Sequence, residues 1–179
     1  MSAEEMNSLA KNISTQDQVN LLIAEFNALR DEIVKHIEIE HQLLSLALIA
    51  LGTILTVGFQ TKNASLIFLY PVLGMFLSIV WLANFKSVYN LANYINSRIE
   101  THAGQNNIGW ESVRKSMPSG WTDKLYSFGS MGILIGSELL ALLAGILVAH
   151  FNIQENILLV VAIISSIFTI IMSLIFAKT

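Results

Sequence analysis

Cysteine is absent from this 179-residue sequence. Without a thiol the chain can form no disulfide framework, no thiolate metal site and no cysteine nucleophile. Proline occurs only twice, at Pro71 and Pro118. Because proline interrupts regular helices, its scarcity permits long unbroken ones.

Charge is also scarce. Charged residues make up 13% of the chain, hydrophobic residues make up 54%, and the net charge is −3. No basic block is present, so we expect no direct nucleic-acid binding. The N-terminus is polar and acidic-leaning, so we expect no cleavable signal peptide, and the first span must direct insertion. This composition predicts an integral membrane protein.

Catalytic motifs are missing as well. The sequence contains no HExxH, P-loop or GxSxG pattern and no paired carboxylates in its polar parts. Its histidines, His36, His41, His102 and His150, are scattered, and the first two do not share a helical face. We therefore expect no enzyme activity, no metal site and no cofactor.

Long apolar runs predict an all-α membrane protein with four transmembrane helices arranged as two hairpins, the first hairpin extended into a cytosolic antiparallel helical stalk. The predicted order is a disordered tail at 1–15, a cytosolic amphipathic helix at 16–42 continuous with span 1 at 43–59, span 2 at 66–83 with a cytosolic extension at 84–100, a cytosolic loop at 101–124, span 3 at 128–150 and span 4 at 157–177.

The predicted stalk is an amphipathic pair. Both of its arms carry apolar residues at alternating spacings of three and four, the pattern of a helical packing seam. The seam residues are Val19, Leu22, Phe26, Leu29, Ile33, Phe85, Val88, Ala92, Ile95 and Ile99. This seam predicts that the two arms pair with each other.

Orientation follows from the positive residues. With the N-terminus inside, every Lys and Arg except Lys62 is cytoplasmic, which predicts a multi-pass inner-membrane protein with both termini in the cytoplasm. Three aromatic residues, Trp110, Trp121 and Tyr126, are predicted anchors at the membrane interface.

One carboxylate, Glu138, lies within predicted span 3, about 15 Å from either end of a straight helix. An ionisable group at that depth is costly and is usually functional. Three hydroxyl residues of span 4, Ser166, Thr169 and Ser173, share one helical face and are its predicted partners. Glu138 is then a neutral group that holds helices together, a site that handles protons or ions, or a residue nearer the membrane interface if the span is shifted.

Small residues recur at a spacing of four along span 3, a pattern that lets helices approach closely. They are Gly132 and Gly136, and the longer stripe of Ser137, Ala141 and Gly145. The stripe predicts either packing within the chain or a contact between copies.

Five segments together resemble a group of uncharacterised small bacterial four-span membrane proteins. The segments are EFNALRDEI (25–33), GTILTVG (52–58), LYPVLGMFLSIVW (69–81), YINSRIE (94–100) and GWESVR (109–114). Asn84 stands where that group usually has an acidic residue or a histidine. The resemblance implies a bacterial origin and a recurring hairpin module, and it carries no activity.

Three functions are compatible with these features. The first is a non-enzymatic inner-membrane protein, homo-oligomeric, that serves as membrane sensor or membrane-perturbing effector of a stress or antiphage system through its stalk. The second is an ion- or proton-coupled channel or transporter that uses Glu138. The third is a membrane scaffold for a cytosolic protein partner. The lipid bilayer is a partner in all three.

Overall fold

The computed structural model describes residues 15–100 and 121–176, with side chains described for 16–99 and 129–176. Within these ranges the chain is helical and has no strand. The elements are α1 (Thr15–Thr61), α2 (Ala64–Tyr94), a π-helix (Ile95–Glu100), α3 (Trp121–Val148) and α4 (Ile153–Phe176). Residues 121–124, which we expected in a loop, thus belong to α3.

All four α-helices are long and apolar enough to cross a membrane. This confirms the all-α class and the four candidate transmembrane helices, and it indicates a multi-pass membrane protein. The stalk, the hairpin arrangement, the membrane and the side on which the termini lie stay predictions.

The described residues divide into two compact units, the first formed by residues 15–36 and 88–100 and the second by residues 37–87 and 121–176. In the first unit Ile33 of α1 packs against Ile95 and Ile99. Because a π-helix has more than four residues per turn, Ile95 and Ile99 lie near the same face. The spacing of four thus directs both isoleucines into one small core.

Most of the predicted seam lies in this core. Leu22, Phe26, Leu29 and Val88 are partly buried around the three isoleucines, and Ala92 is buried. Two seam residues lie elsewhere. Val19 is 44% exposed, and the Phe85 ring stacks on Trp81 in the second unit.

The second unit has α2 at its centre. In α2 half of the most apolar stretch is buried, compared with 11% in α1. Trp81, Tyr70 and Phe68 of α2 are fully buried. Many apolar side chains of α3 and α4 face outward, including Leu147 at 83% exposure, as lipid-facing residues do.

Two tight turns join the helices of the second unit at one end. Ala64, just after the first turn, packs with Ala162 of α4 and Val148 of α3. In the α3–α4 turn, Asn152 Oδ1 accepts a hydrogen bond from Glu155 N at 2.8 Å, and Glu155 Oε2 accepts one from His150 N at 2.8 Å. These bonds cap α4. We call this the turn end and the opposite end the far end.

The α1–α2 turn offers a test of the fold. Lys62 has a left-handed φ of 48°, and the N–H groups of Lys62 and Asn63 donate to the carbonyls of Phe59 and Gly58. This is a Schellman cap, whose left-handed position favours glycine. We expect Lys62→Gly to raise the free energy of unfolding by up to about 1 kcal/mol, measured by denaturant titration in detergent. Gln60→Gly, inside the helix, should lower it by about 1 kcal/mol. Equal losses in both variants would contradict the cap.

Candidate functional site

The carboxyl group of Glu138 is enclosed between three helices of the second unit. Its side chain is 1% exposed, and its Oε1 accepts a hydrogen bond from Thr169 Oγ1 of α4 at 3.0 Å. Ser166, one turn earlier on α4, lies beside the same carboxyl. The sequence pattern had placed both hydroxyls on the helical face that partners Glu138.

On the other side the carboxyl rests against the backbone of α2. A Cβ added to Gly74 would lie 2.7 Å from Glu138 Cγ and 2.8 Å from its Oε1. No real Cβ tolerates such contacts, so glycine is required for this approach. Gly74 was not among the predicted site residues.

Buried polar atoms without a partner are concentrated around Glu138 and towards the far end. In the part of the chain whose side chains are described, buried side-chain atoms lacking a hydrogen bond are Ser78 Oγ, Trp81 Nε1, Glu138 Oε2, Ser166 Oγ and Ser173 Oγ. Ser78 follows Gly74 by one turn of α2, and Ser173 follows Thr169 by one turn of α4. Buried polar groups in proteins are normally paired or hydrated, so this concentration calls for a ligand or water.

No cation is at hand to balance the carboxyl. The apolar parts of the four helices, at 43–61, 64–85, 125–148 and 153–176, contain no Lys, Arg or His. An unpaired carboxylate in such surroundings costs several kcal/mol, on the order of the desolvation penalty of one ion. The enclosed group is therefore favoured in its neutral form.

The hydrogen-bond pattern also suits a neutral acid. Thr169 Oγ1 lies 3.2 Å from the Ser165 carbonyl as well as 3.0 Å from Glu138. A hydroxyl has one proton. If Glu138 donates its own proton to Thr169, the Thr169 proton is free for the Ser165 carbonyl.

A second polar contact lies beside the first. The Tyr70 hydroxyl of α2 is 2.8 Å from Ser137 Oγ and 3.1 Å from the Ala47 carbonyl of α1. Because Ser137 donates its own proton to the Leu134 carbonyl, it accepts from Tyr70. Ser137 and Glu138 thus connect α3 with α2 and α4, and Tyr70 extends the contact from α2 to α1.

The small residues of α3 divide into two groups. Ser137, Ala141 and Gly145 are buried inside the chain, and a Cβ on Gly145 would overlap the Phe68 ring of α2. Gly132 and Gly136 are exposed, and a Cβ on either would meet nothing within 4 Å. The longer stripe therefore packs within the chain and leaves Gly132 and Gly136 for lipid or another copy.

The first unit carries a separate polar contact. The Tyr94 hydroxyl donates to Glu25 Oε1 at 2.8 Å, and this hydrogen bond raises the pKa of Tyr94 above its ordinary value. Around the isoleucine core, Leu21, Ile23 and Val34 are 53–68% exposed. On α1, Ile23 and Val34 lie on one side of this core and Leu21 lies on the other.

Two of the three predicted interface anchors lie within the described residues. Trp110 lies outside the described residues. Trp121 and Tyr126 lie in α3, in a stretch whose backbone alone is described. Their anchoring role stays a prediction.

Comparison with known proteins adds no activity. No protein-family model, curated protein or solved structure matches the sequence. A function therefore has to be argued from the geometry around Glu138 and from the first unit.

Proposed function

We propose that this chain is a non-enzymatic, multi-pass bacterial membrane protein that binds and releases a proton at Glu138. One observation carries the proposal. Among the described side chains the carboxyl is fully enclosed and one of its oxygens has no hydrogen-bond partner, and the apolar helices contain no Lys, Arg or His. Intramembrane carboxyls of this kind mark proton relays and ion pathways.

Loss of the proton must be coupled to a change around the site. The ionised form would require water, a cation or a movement of α2 or α4, because Thr169 alone supplies one shared hydrogen bond. Tyr70 is the titratable side chain that faces this region from α2, and its proton is already engaged by two acceptors. A proton-dependent conformational step suits a channel, a transporter or a membrane sensor.

The direct test is modification by dicyclohexylcarbodiimide, an apolar reagent that attacks protonated carboxyls. We expect purified protein in detergent or nanodiscs to gain the mass of one reagent molecule at Glu138, and the modified fraction to fall as the pH rises, because the ionised form does not react. Intact-protein and peptide mass spectrometry measure both. Glu138→Gln should abolish the modification.

Glu155→Gln is the matched control, because Glu155 is also buried but already accepts a hydrogen bond in the α3–α4 turn. It should leave modification at Glu138 unchanged. Modification that survives Glu138→Gln, or that is independent of pH, would contradict proton binding at this residue.

Transport can be separated from sensing in liposomes. Protein reconstituted with an internal pH dye should collapse an imposed pH gradient if it conducts or couples protons, and Glu138→Gln should block that collapse. If neither protein moves protons although carbodiimide still modifies Glu138, the proton is a signal rather than a cargo.

A second candidate rests on the first unit. The exposed Leu21, Ile23 and Val34 flank a small isoleucine core, where their apolar side chains are available for contact with a protein partner. This favours the membrane sensor, effector or scaffold that acts through a cytosolic stalk. Co-purification of a cytosolic protein that is lost in a Leu21→Ser, Val34→Ser variant would support it.

A further inference from the structure

We propose that the unpaired polar atoms of α2 and α4 line a hydrated half-channel that connects Glu138 with the far end only. The inference rests on the proposed proton site and goes beyond it by naming the route and the side. The route is formed by Ser166 and Ser173 of α4 and by Ser78 and Trp81 of α2.

The register of the helices places these atoms in a file. Along α2, Ser78 lies four residues and Trp81 seven residues beyond Gly74, which touches the carboxyl. Along α4, Ser173 lies four residues beyond Thr169. Spacings of four and seven keep one helical face and advance about 6 Å and about 10 Å. Donors and acceptors therefore occur at successive levels from Glu138 towards the far end.

Each of these atoms can bind water. Ser78, Ser173 and Trp81 are at most 8% exposed, and none of the three polar atoms has a protein partner. The indole N–H is a donor, whereas each hydroxyl both donates and accepts. A few internal waters would satisfy all of them and would carry a proton between them.

The other direction is sealed. Towards the turn end the interior is filled by fully buried apolar groups, among them Ile67, Phe68, Ala141 and Ala162. The Phe68 ring fills the space left by Gly145. Polar side chains on this side are satisfied, because Ser165 donates to the Val161 carbonyl and Tyr70 has two acceptors. Apart from Ser166, which lies beside the Glu138 carboxyl itself, no buried unpaired atom is available there among the described side chains.

An aromatic group closes the far end of the file. The rings of Trp81 and Phe85 stack at 5.4 Å, and Phe85 meets Phe176 edge to face at 5.4 Å. Phe176 lies three residues after Ser173. Movement of the Phe176 ring would admit bulk water to the row of polar atoms between Glu138 and the far end.

The absence of cysteine makes the route directly testable. The probe is a membrane-impermeant cationic methanethiosulfonate, which reacts only with a hydrated thiolate. The variants Ser78→Cys and Ser173→Cys should react with it in membrane vesicles that expose the far end. They should not react in vesicles of the opposite orientation. Phe176→Ala should accelerate both reactions several-fold. A tag after Thr179, tested for protease access, reports the orientation.

Two controls define the route. Leu174→Cys, beside Ser173 but 60% exposed on the outer face, should not react because it faces lipid. Ala162→Cys, at the sealed end, should not react from either side. Reaction of the Ser78 and Ser173 variants from the turn end would overturn the half-channel, as would no reaction even with Phe176→Ala.

The carbodiimide assay keeps the two proposals apart. That reagent crosses lipid and reports the protonation of Glu138 whatever the route. Modified Glu138 with unreactive cysteines would overturn the half-channel alone, whereas absence of modification would overturn the proton site itself. Variants that lose the wild-type gel-filtration profile are replaced by Ser166→Cys, which occupies the same file.

Discussion

Gly74→Ala should strongly reduce carbodiimide modification and proton uptake at Glu138. The added methyl carbon would lie 2.7 Å from Glu138 Cγ, so either the carboxyl or α2 must shift. A carboxyl that swings away loses the Thr169 hydrogen bond, and a helix that shifts loses packing worth about 1–3 kcal/mol. Both outcomes displace the group from the site. Modification per folded protein is measured by mass spectrometry, with the unfolding midpoint recorded in parallel.

Gly136→Ala is the matched control on α3, two residues from Glu138. A Cβ there meets nothing within 4 Å, and alanine is the better helix former by about 1 kcal/mol. This variant should keep wild-type modification and equal or greater stability. Equal effects of the two alanines would contradict the close approach of α2 to the carboxyl.

The second large effect is expected where Phe68 fills the space beside Gly145. Phe68→Ala should lower the free energy of unfolding by about 3–5 kcal/mol, because it empties a fully buried site. Gly145→Ala should lower it by about 1–3 kcal/mol, because the new methyl overlaps the ring. Denaturant or thermal unfolding in one detergent measures both.

The double variant Phe68→Ala, Gly145→Ala completes a double-mutant cycle and gives the decisive comparison. Once the ring is gone, the methyl group introduced by Gly145→Ala occupies part of the cavity instead of clashing. The combined loss should therefore be smaller than the sum of the single losses by about 1–3 kcal/mol. Strict additivity would show that α2 and α3 do not meet at these residues.

The span pattern was predictable because hydropathy depends on composition alone. Runs of about 20 apolar residues can be counted without knowing any contact. Helix ends were less accessible: α3 starts at Trp121 rather than after the expected loop, since polar residues such as Asp123 and Lys124 fit a helix as readily as a loop. The π-helix at 95–100 was invisible, because an apolar spacing of four is equally suited to an α-helix.

Part of the site was predictable as well. Ser166, Thr169 and Ser173 share a face of α4 whatever the packing, so spacing predicts all three as partners of Glu138. Thr169 bonds the carboxyl and Ser166 lies beside it, whereas Ser173 lies one turn beyond Thr169. The α2 contribution could not be predicted, because a helix apolar on all sides gives no indication of which face turns inward. The small residues Gly74 and Ser78, four apart, were a weak signal for it. The Gly132 and Gly136 pair was equally suggestive, yet both of these residues face outward.

The hydrogen bond between Thr169 and Glu138 also has a consequence for biosynthesis. Thr169 follows Glu138 by 31 residues, so α3 is synthesised before the hydroxyls that receive its carboxyl. At roughly 5–20 residues per second the interval lasts a few seconds. During that time the nascent helix must hold an unpartnered acid, either neutral in the bilayer or beside the insertion machinery. The order of synthesis thus favours a protonated Glu138 from the moment the helix enters the membrane.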